Sequence, residues 1–435
     1  MRLHQHRRLC QSIALVFSSL GGIAAMASPN VQGGGSSLIA PAIGTIVNPA
    51  TEIGLFGTAE GSFTYYSVGS GAGQNAFLNN RPTYFGSTVT GTVHFANSDA
   101  ALSTAQLTSY KAGLGATNGP LIQIPYIVTP ITVPVVNGPA VTSTMTPQTT
   151  PGQAHSIALN DDDLCGIFSG KLTNWNQIIN PETNSPYVLN EPIKVVYSAD
   201  ASGTTELLTR HLAAVCTTTN TATGVTFADS LTFTASFPGG VVPSNFIAAS
   251  GDGGVRRQLA SYASAGMAAV AYLAPNYTNT FLAPSSAVVM SASALQLPVA
   301  SLANRINNAY YAPTYANATM ALGSIVPPAL RVAAANPANW PRSNSNPISG
   351  YPVSGMSYII LSQCYADPAV GTAMHDFLNA HYTNASFASI VHGNGFDTVP
   401  ANFQTAISNE FLSNARAWNL DIGNTSVCTG TVVGR

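Results

Sequence analysis

The chain has 435 residues, of which 46% are hydrophobic and only 7% charged, with 15 Lys and Arg against 17 Asp and Glu. Ordinary globular chains carry about 25% charged residues, so Ser, Thr, Asn, Gly and Ala must cover this surface, as in exported or cell-surface proteins. The acidic balance argues against general nucleic-acid binding, which needs a basic face. Scattered histidines and the lack of any C-x-x-C argue against a metal site.

The chain opens on an export signal over residues 1–27. Arg2, Arg7 and Arg8 precede a mostly apolar run from Ser12 to Met26, and Ala25-Met26-Ala27 is a small-x-small cleavage site. No later run is long and apolar enough to span a bilayer. Cys10 lies ahead of the apolar run, so no lipid anchor is indicated. The mature chain begins near Ser28. Losing three arginines and no acids leaves 12 basic residues against 17 acids, a net charge of about −5. The remaining 408 or so residues are long for one core, so two lobes are expected.

Gly33-Gly34-Gly35-Ser36-Ser37-Leu38 reads as a glycine-rich turn, and Val68-Gly69-Ser70-Gly71-Ala72-Gly73 as a second. Val93–Ala96 is a short strand ending in Asn97-Ser98-Asp99. Ile122–Ile127 and Ile131–Val136 are β-rich and broken by Pro125, Pro130 and Pro134. Thr142–Pro151 is an exposed loop. Leu164–Phe168 and Trp175–Ile179 read as short helices around a Gly170-Lys171 turn. Val255–Ala263 is helical, Met267–Leu273 a buried strand, and Asn336–Pro352 an exposed loop. Tyr358–Leu361 is a strand followed by a helix over Val370–His381. The alternation predicts an α/β architecture.

Four cysteines follow the signal: Cys165, Cys216, Cys364 and Cys428. An even number in an exported chain predicts two disulfides, with three possible connectivities. Cys165–Cys216 with Cys364–Cys428 is preferred, because each pair lies within one half of the chain.

The most informative stretch is Ser198-Ala199-Asp200-Ala201-Ser202-Gly203-Thr204-Thr205-Glu206. It joins the strand-like Ile193–Tyr197 to the helical Leu207–Leu212. Such a layout points backbone N–H groups and hydroxyls at one spot, at the positive end of a helix dipole, where a tetrahedral oxyanion fits. The plain alternative is a helix cap, with Gly203 three residues before Glu206. Glycine turns usually only reverse the chain; here they can also form an anion nest of successive N–H groups.

Taken in order, Gly33 to Pro41, Val68 to Gly73, Ser98-Asp99 and Ser202 to Thr205 resemble the phosphate-binding protein of the bacterial phosphate importer. That family shows a glycine-rich start, then G-x-G-S, then S-D at a strand end, then S-G-T-T. Ile124-Pro125 to Asn137, Ile167 to Trp175 and Met267 to Leu273 also match, so the resemblance covers most of the mature chain. Asn30-Val31-Gln32-Gly33-Gly34-Gly35 and Thr204 to Arg210 look closest to the DING branch, exported phosphate binders whose mature chains begin Asp-Ile-Asn-Gly. That tetrapeptide is not kept here. The branch also tends to carry two disulfides.

The resemblance implies a type II periplasmic-binding-protein fold: an α/β protein of two lobes with a ligand cleft between them. Lobe 1 would take residues 28–126 with a C-terminal return over 354–435, and lobe 2 residues 127–353. It implies that Ser37 and Ser70 donate hydroxyls to the anion, and Leu38, Gly203 and Thr204 backbone N–H groups. Ser202 and Thr204 would add hydroxyls, and Asp99 would accept from a protonated phosphate oxygen. A carboxylate that needs a ligand proton rejects sulfate, and discrimination of this type reaches roughly 10⁴-fold or more. No cofactor or metal is implied.

One departure matters. The family usually reads Arg-x-Asp-x-Ser-Gly-Thr, and here Ser198 stands in the Arg position. A charge-assisted contact worth about 1.5–3 kcal/mol is thereby absent. Arg256 or Arg257, beside the Ser250–Gly254 turn, is the candidate replacement. The leading function is therefore binding of phosphate or a related oxyanion, with an ABC importer membrane complex as partner and a periplasmic or extracellular location. Two alternatives stay open. One is an exported DING-like phosphatase, for which no metal cluster, G-x-S-x-G elbow or Ser–His–Asp spacing is present. The other is a cell-surface scaffold or adhesive protein, favoured by the low charge, the Thr/Asn-rich loops and the lost Arg.

Overall fold

Three consecutive glycines let the strand Asn30–Gly35 be closely flanked. A Cβ at Gly33 would lie 2.5 Å from the Phe95 ring, one at Gly34 2.4 Å from the Tyr66 carbonyl, and one at Gly35 2.1 Å from the Asn97 carbonyl. The expected turn at Gly33–Gly35 is therefore corrected: these glycines serve strand packing, and the chain turns only after Ser36, over Ser37–Ile39. The protein is described by a computed structural model that covers residues 28–150, 152–278 and 296–435. The export signal and Pro151 lie outside the described residues.

Asn30–Gly35 belongs to a six-stranded sheet. Its strands run in the order Asp397–Thr398, Leu121–Pro130, Ser354–Ser362, Phe95–Ser98, Asn30–Gly35 and Ser62–Ser67. Asn30–Gly35 pairs in parallel with both neighbours, whereas Ser354–Ser362 is antiparallel to Phe95–Ser98 and to Leu121–Pro130. A second sheet of four strands orders Phe246–Ala249, Lys194–Ser198, Ala269–Ala271 and Val135–Val136. The first sheet thus draws on residues 30–130 and 354–398, and the second on residues 135–271.

Prolines break less than expected. Leu121–Pro130 runs straight through Pro125, which pairs with Tyr358 where the register of the neighbouring strand shifts between Ser357 and Tyr358. A bulge is where a residue with no N–H can sit inside a sheet. The segment 336–352, expected to be an exposed loop, buries Trp340 and Tyr351 completely. Trp340 Nε1 donates to the Ala334 carbonyl at 2.8 Å, and the ring packs edge-on against Phe403 and tilted against Phe411.

Both expected disulfides are present. Cys165–Cys216 ties the helix Asp161–Ser169 to the end of the helix Gly203–Val215, and Cys364–Cys428 ties the end of the strand Ser354–Ser362 to the C-terminal segment. Among the described residues, no helix is long and apolar enough to cross a membrane.

Candidate functional site

Three helices begin around one spot between the two sheets: Ser70–Leu78, Gly203–Val215 and Gly251–Ser264. Each leaves unpaired N–H groups and a positive dipole end at its start, which favours negative charge there. In this structure three carboxylates, of Asp99, Asp200 and Asp252, gather at that spot.

Strand pairing delivers Asp99. Gly35 lies opposite Asn97, and the Ser36 N–H donates to the Asn97 carbonyl at 2.9 Å, so the turn after one strand meets the Ser98-Asp99 end of the next. The Ser36 hydroxyl donates to the Asp99 carboxylate, 2.8 Å from Oδ1 and 2.7 Å from Oδ2. The Ser70 hydroxyl lies 3.3 Å from Oδ2 and accepts from the Asp99 N–H at 3.1 Å. Burial pushes the Asp99 carboxyl up to about 6; the Ser357, Ser36 and Ser70 hydroxyls pull it down, and the charge of Asp252 adds to the rise.

The second sheet supplies the opposite wall. Ser202 caps the Gly203–Val215 helix by accepting from the Thr205 N–H at 3.4 Å, so the cap is Ser202 with Thr205 rather than Gly203 with Glu206. Gly203 presses against the first wall: a Cβ there would lie 2.5 Å from Asp99 Cβ, Asp99 Oδ2 and Ser70 Oγ. The walls also join directly, the Gly71 N–H donating to the Ala201 carbonyl at 2.9 Å.

Asp252 is the centre of a second cluster. The Ser37 hydroxyl donates to its Oδ2 at 2.5 Å, the Thr204 hydroxyl lies 3.3 Å from both oxygens, and the Ala274 N–H donates to Oδ1 at 3.1 Å. Burial raises its pKa, the Ser37 and Ala274 bonds lower it, and the charge of Asp200 raises it further.

Ser198 sits where the family's Arg would be, and its hydroxyl donates to Asp200 Oδ1 at 2.7 Å. The Gly251 N–H donates to the same oxygen at 2.7 Å. Asp200 Oδ2 is buried and has no hydrogen-bond partner among the described residues. A buried carboxylate oxygen normally has a donor, and the Arg that the resemblance expects at position 198 would be one. The Arg256 guanidinium donates to the Tyr277 carbonyl, and Tyr277 in turn donates its hydroxyl to the Ser37 carbonyl at 3.1 Å. Asn276 Nδ2 donates to the Leu38 carbonyl at 2.9 Å. Arg256 thus braces the residues that hold the Ser37-Leu38 turn. Arg257 is exposed, with its terminal nitrogens over Gly253 and Gly254.

The structure therefore brings Ser37, Leu38, Ser70, Asp99, Ser202, Gly203 and Thr204 to one place, with Ser198 one step away through Asp200. Sequence reasoning missed Ser36 and Asp252. Ser36 differs from Ser37 only by one position in a Ser-Ser pair. Asp252 lies in Ser250-Gly251-Asp252-Gly253-Gly254, a strand-to-helix turn of the same kind as Ser202-Gly203-Thr204, and that parallel could have marked it. Hydroxyls and helix N-termini on both walls, with carboxylates between, suit an oxyanion that carries protons. Among the described residues, no group of three or more His, Cys, Asp and Glu side chains could hold a metal ion.

Comparison with known proteins agrees with this geometry. The PBP superfamily domain matches residues 23–379. The chain is 35% identical over 369 residues to Alkaline phosphatase L of Pseudomonas aeruginosa, covering 84% of this chain and 86% of that one. It is 33% identical over 377 residues to a phosphate-binding protein of an unknown prokaryotic organism, covering 84% and 92%. The solved structure of a high-affinity periplasmic phosphate-binding protein (PfluDING) with bound phosphate superposes with a TM-score of 0.73 at 32% identity, over 93% of this chain and 99% of that one. An ancestral soluble variant of the human phosphate binding protein gives a TM-score of 0.73 at 31% identity, over 93% and 99%. With its α/β architecture and matching two-lobed relatives, the chain belongs to the PBP superfamily, alongside the DING-type phosphate-binding proteins.

Proposed function

We propose that this protein binds inorganic phosphate in the cleft between two lobes, residues 28–126 with 354–435 and residues 127–353. Asp99 carries the reading. It is a buried carboxylate held by Ser36 and Ser70 and covered by Gly203, with a pKa pushed up to about 6. Such a group accepts from P–OH and repels an unprotonated anion. Around it, Ser37, Ser70 and Thr204 supply hydroxyls. Leu38, Gly203 and Thr204 supply N–H groups. The Ser202 hydroxyl accepts the helix cap and keeps its own proton to donate. The phosphate-binding names of the similar proteins support the ligand.

The signal-like residues 1–27 support export to the periplasm or beyond, and the family supports delivery to an ABC importer. Calorimetric titration of the mature protein with phosphate, and separately with sulfate, tests the ligand: one phosphate site and no sulfate heat are expected. The name Alkaline phosphatase L, borne by a relative 35% identical, favours a second reading, phosphomonoester hydrolysis. An assay with p-nitrophenyl phosphate, with and without added divalent metals, tests it.

A further inference from the structure

We propose that Asp252 is a second proton acceptor in this cleft, so that the site selects the dihydrogen monoanion of phosphate over the monohydrogen dianion. The inference rests on the phosphate reading and deepens it.

Charges and protons in the cleft must balance. Asp99 stands on one wall and Asp252 on the other, and both are buried. Each has its own donors: Ser37 and Thr204 reach Asp252, while Ser36 and Ser70 reach Asp99. The groups facing them are mostly neutral or acidic. From the first sheet come Ser36, Ser37, Ser70 and Tyr65. From the second come Asp200, the hydroxyls of Tyr272 and Tyr277, and Glu206. Arg210, on the Gly203 helix, is 3.1 Å from Glu206 and is matched by that charge. On the helix of Asp252 itself, Arg256 reaches the Tyr277 carbonyl and Arg257 is exposed.

A dianion placed here meets two carboxylates at close range. Each ligand proton turns one such repulsion into a charge-assisted O–H···O⁻ bond. Asp99 and Asp252 therefore call for two P–OH groups, while Asp200, the third carboxylate, keeps the Ser198 hydroxyl and the Gly251 N–H. The two remaining phosphate oxygens take the N–H groups at the helix starts and the Ser and Thr hydroxyl protons that the P–OH groups displace from Asp99 and Asp252. Protons balance: above neutrality, free phosphate carries one proton and the bound state holds two, so binding takes up one proton, shared between the ligand oxygen and Asp252.

Calorimetry with inorganic phosphate on the mature protein between pH 7 and 8.5 tests this, with Asp252→Asn and Asp252→Ser as variants and sulfate as a second ligand. In the native protein, affinity should fall about tenfold or more between pH 7 and 8.5, the slope steepening toward tenfold per unit at the upper end, and heats there in buffers of different ionisation enthalpy should show about one proton taken up. Asp252→Asn donates an amide instead, so its slope should flatten; Asp252→Ser should do the same if the amide variant does not fold. Sulfate should gain on phosphate in both. Native phosphate binding with no pH slope and no proton uptake overturns the inference while leaving phosphate binding intact. Variants that keep the native slope and selectivity also overturn it. If the native protein binds no phosphate at any pH tested, the phosphate reading fails and this inference fails with it.

Discussion

Gly203→Ala should weaken phosphate binding without unfolding the protein. Gly203 is not among the glycines with positive φ, so alanine is allowed by the backbone. As the first residue of the Gly203–Val215 helix, alanine would favour the helix by up to about 1 kcal/mol. The conflict is across the cleft. The new Cβ would lie 2.5 Å from three atoms of the opposite wall, Asp99 Cβ, Asp99 Oδ2 and Ser70 Oγ. Ordinary contacts of this kind are about 3.5–4.0 Å, so the walls must part by ~1 Å. Overpacking of that order costs about 1–3 kcal/mol. The cost falls on closure of the cleft, because the cores on either side keep their packing. Phosphate affinity should fall roughly tenfold to hundredfold, at 1.4 kcal/mol per factor of ten, while the melting temperature of the unliganded protein changes by no more than a few degrees. Titration calorimetry and thermal melts measure the two effects. A folded variant with affinity within about twofold of native would refute the reasoning that binding needs Gly203 closed against Asp99 and Ser70.

Asp99→Asn should blur phosphate against sulfate, because the amide can donate to an unprotonated oxygen; competition titrations should show the ratio falling sharply, and an unchanged ratio would remove Asp99 from the site. Ser198→Arg should tighten phosphate by about 1.5–3 kcal/mol, because the guanidinium would meet the orphaned Asp200 Oδ2; calorimetry would show weaker or unchanged binding if some other cation already serves the anion. Replacing Cys165 and Cys216 together by alanine should cost ~2–5 kcal/mol in denaturant unfolding, since the bridge ties two helices of one lobe. Burial raises Asp163 to about 8. The folded state then keeps protons that the unfolded chain releases near pH 4, so stability should fall as pH rises from 6.5 to 8. Asp163→Asn should make that fall shallower in a series of thermal melts.

Much of the site was legible because it is local. Ser202-Gly203-Thr204 sits at a strand-to-helix turn, and Asp99 at a strand end, and both patterns lie within a few adjacent residues. The unusual Ser198 was legible for the same reason. What stayed hidden depends on register and docking. Only the pairing of Gly35 with Asn97 decides that Ser36, rather than Ser37, meets Asp99. Only the approach of the two walls brings Ser37 to Asp252, 215 residues away. Pro125 read as a strand break because a proline cannot donate to a ladder, and the register shift against Ser357 and Tyr358 of the neighbouring strand removes that demand. The Asn/Pro-rich 336–352 segment read as exposed because its composition masks Trp340 and Tyr351, which the core takes up.

The central claim is that two carboxylates face one oxyanion whose arginine partner has been replaced by Ser198. Phosphate titration of the mature protein at pH 7 and at pH 8.5, followed by calorimetry in two buffers, tests it most directly. The account predicts one phosphate bound per chain, with affinity at least about tenfold weaker at the higher pH and about one proton taken up. Phosphate bound equally well at both values, with no proton uptake, would contradict it.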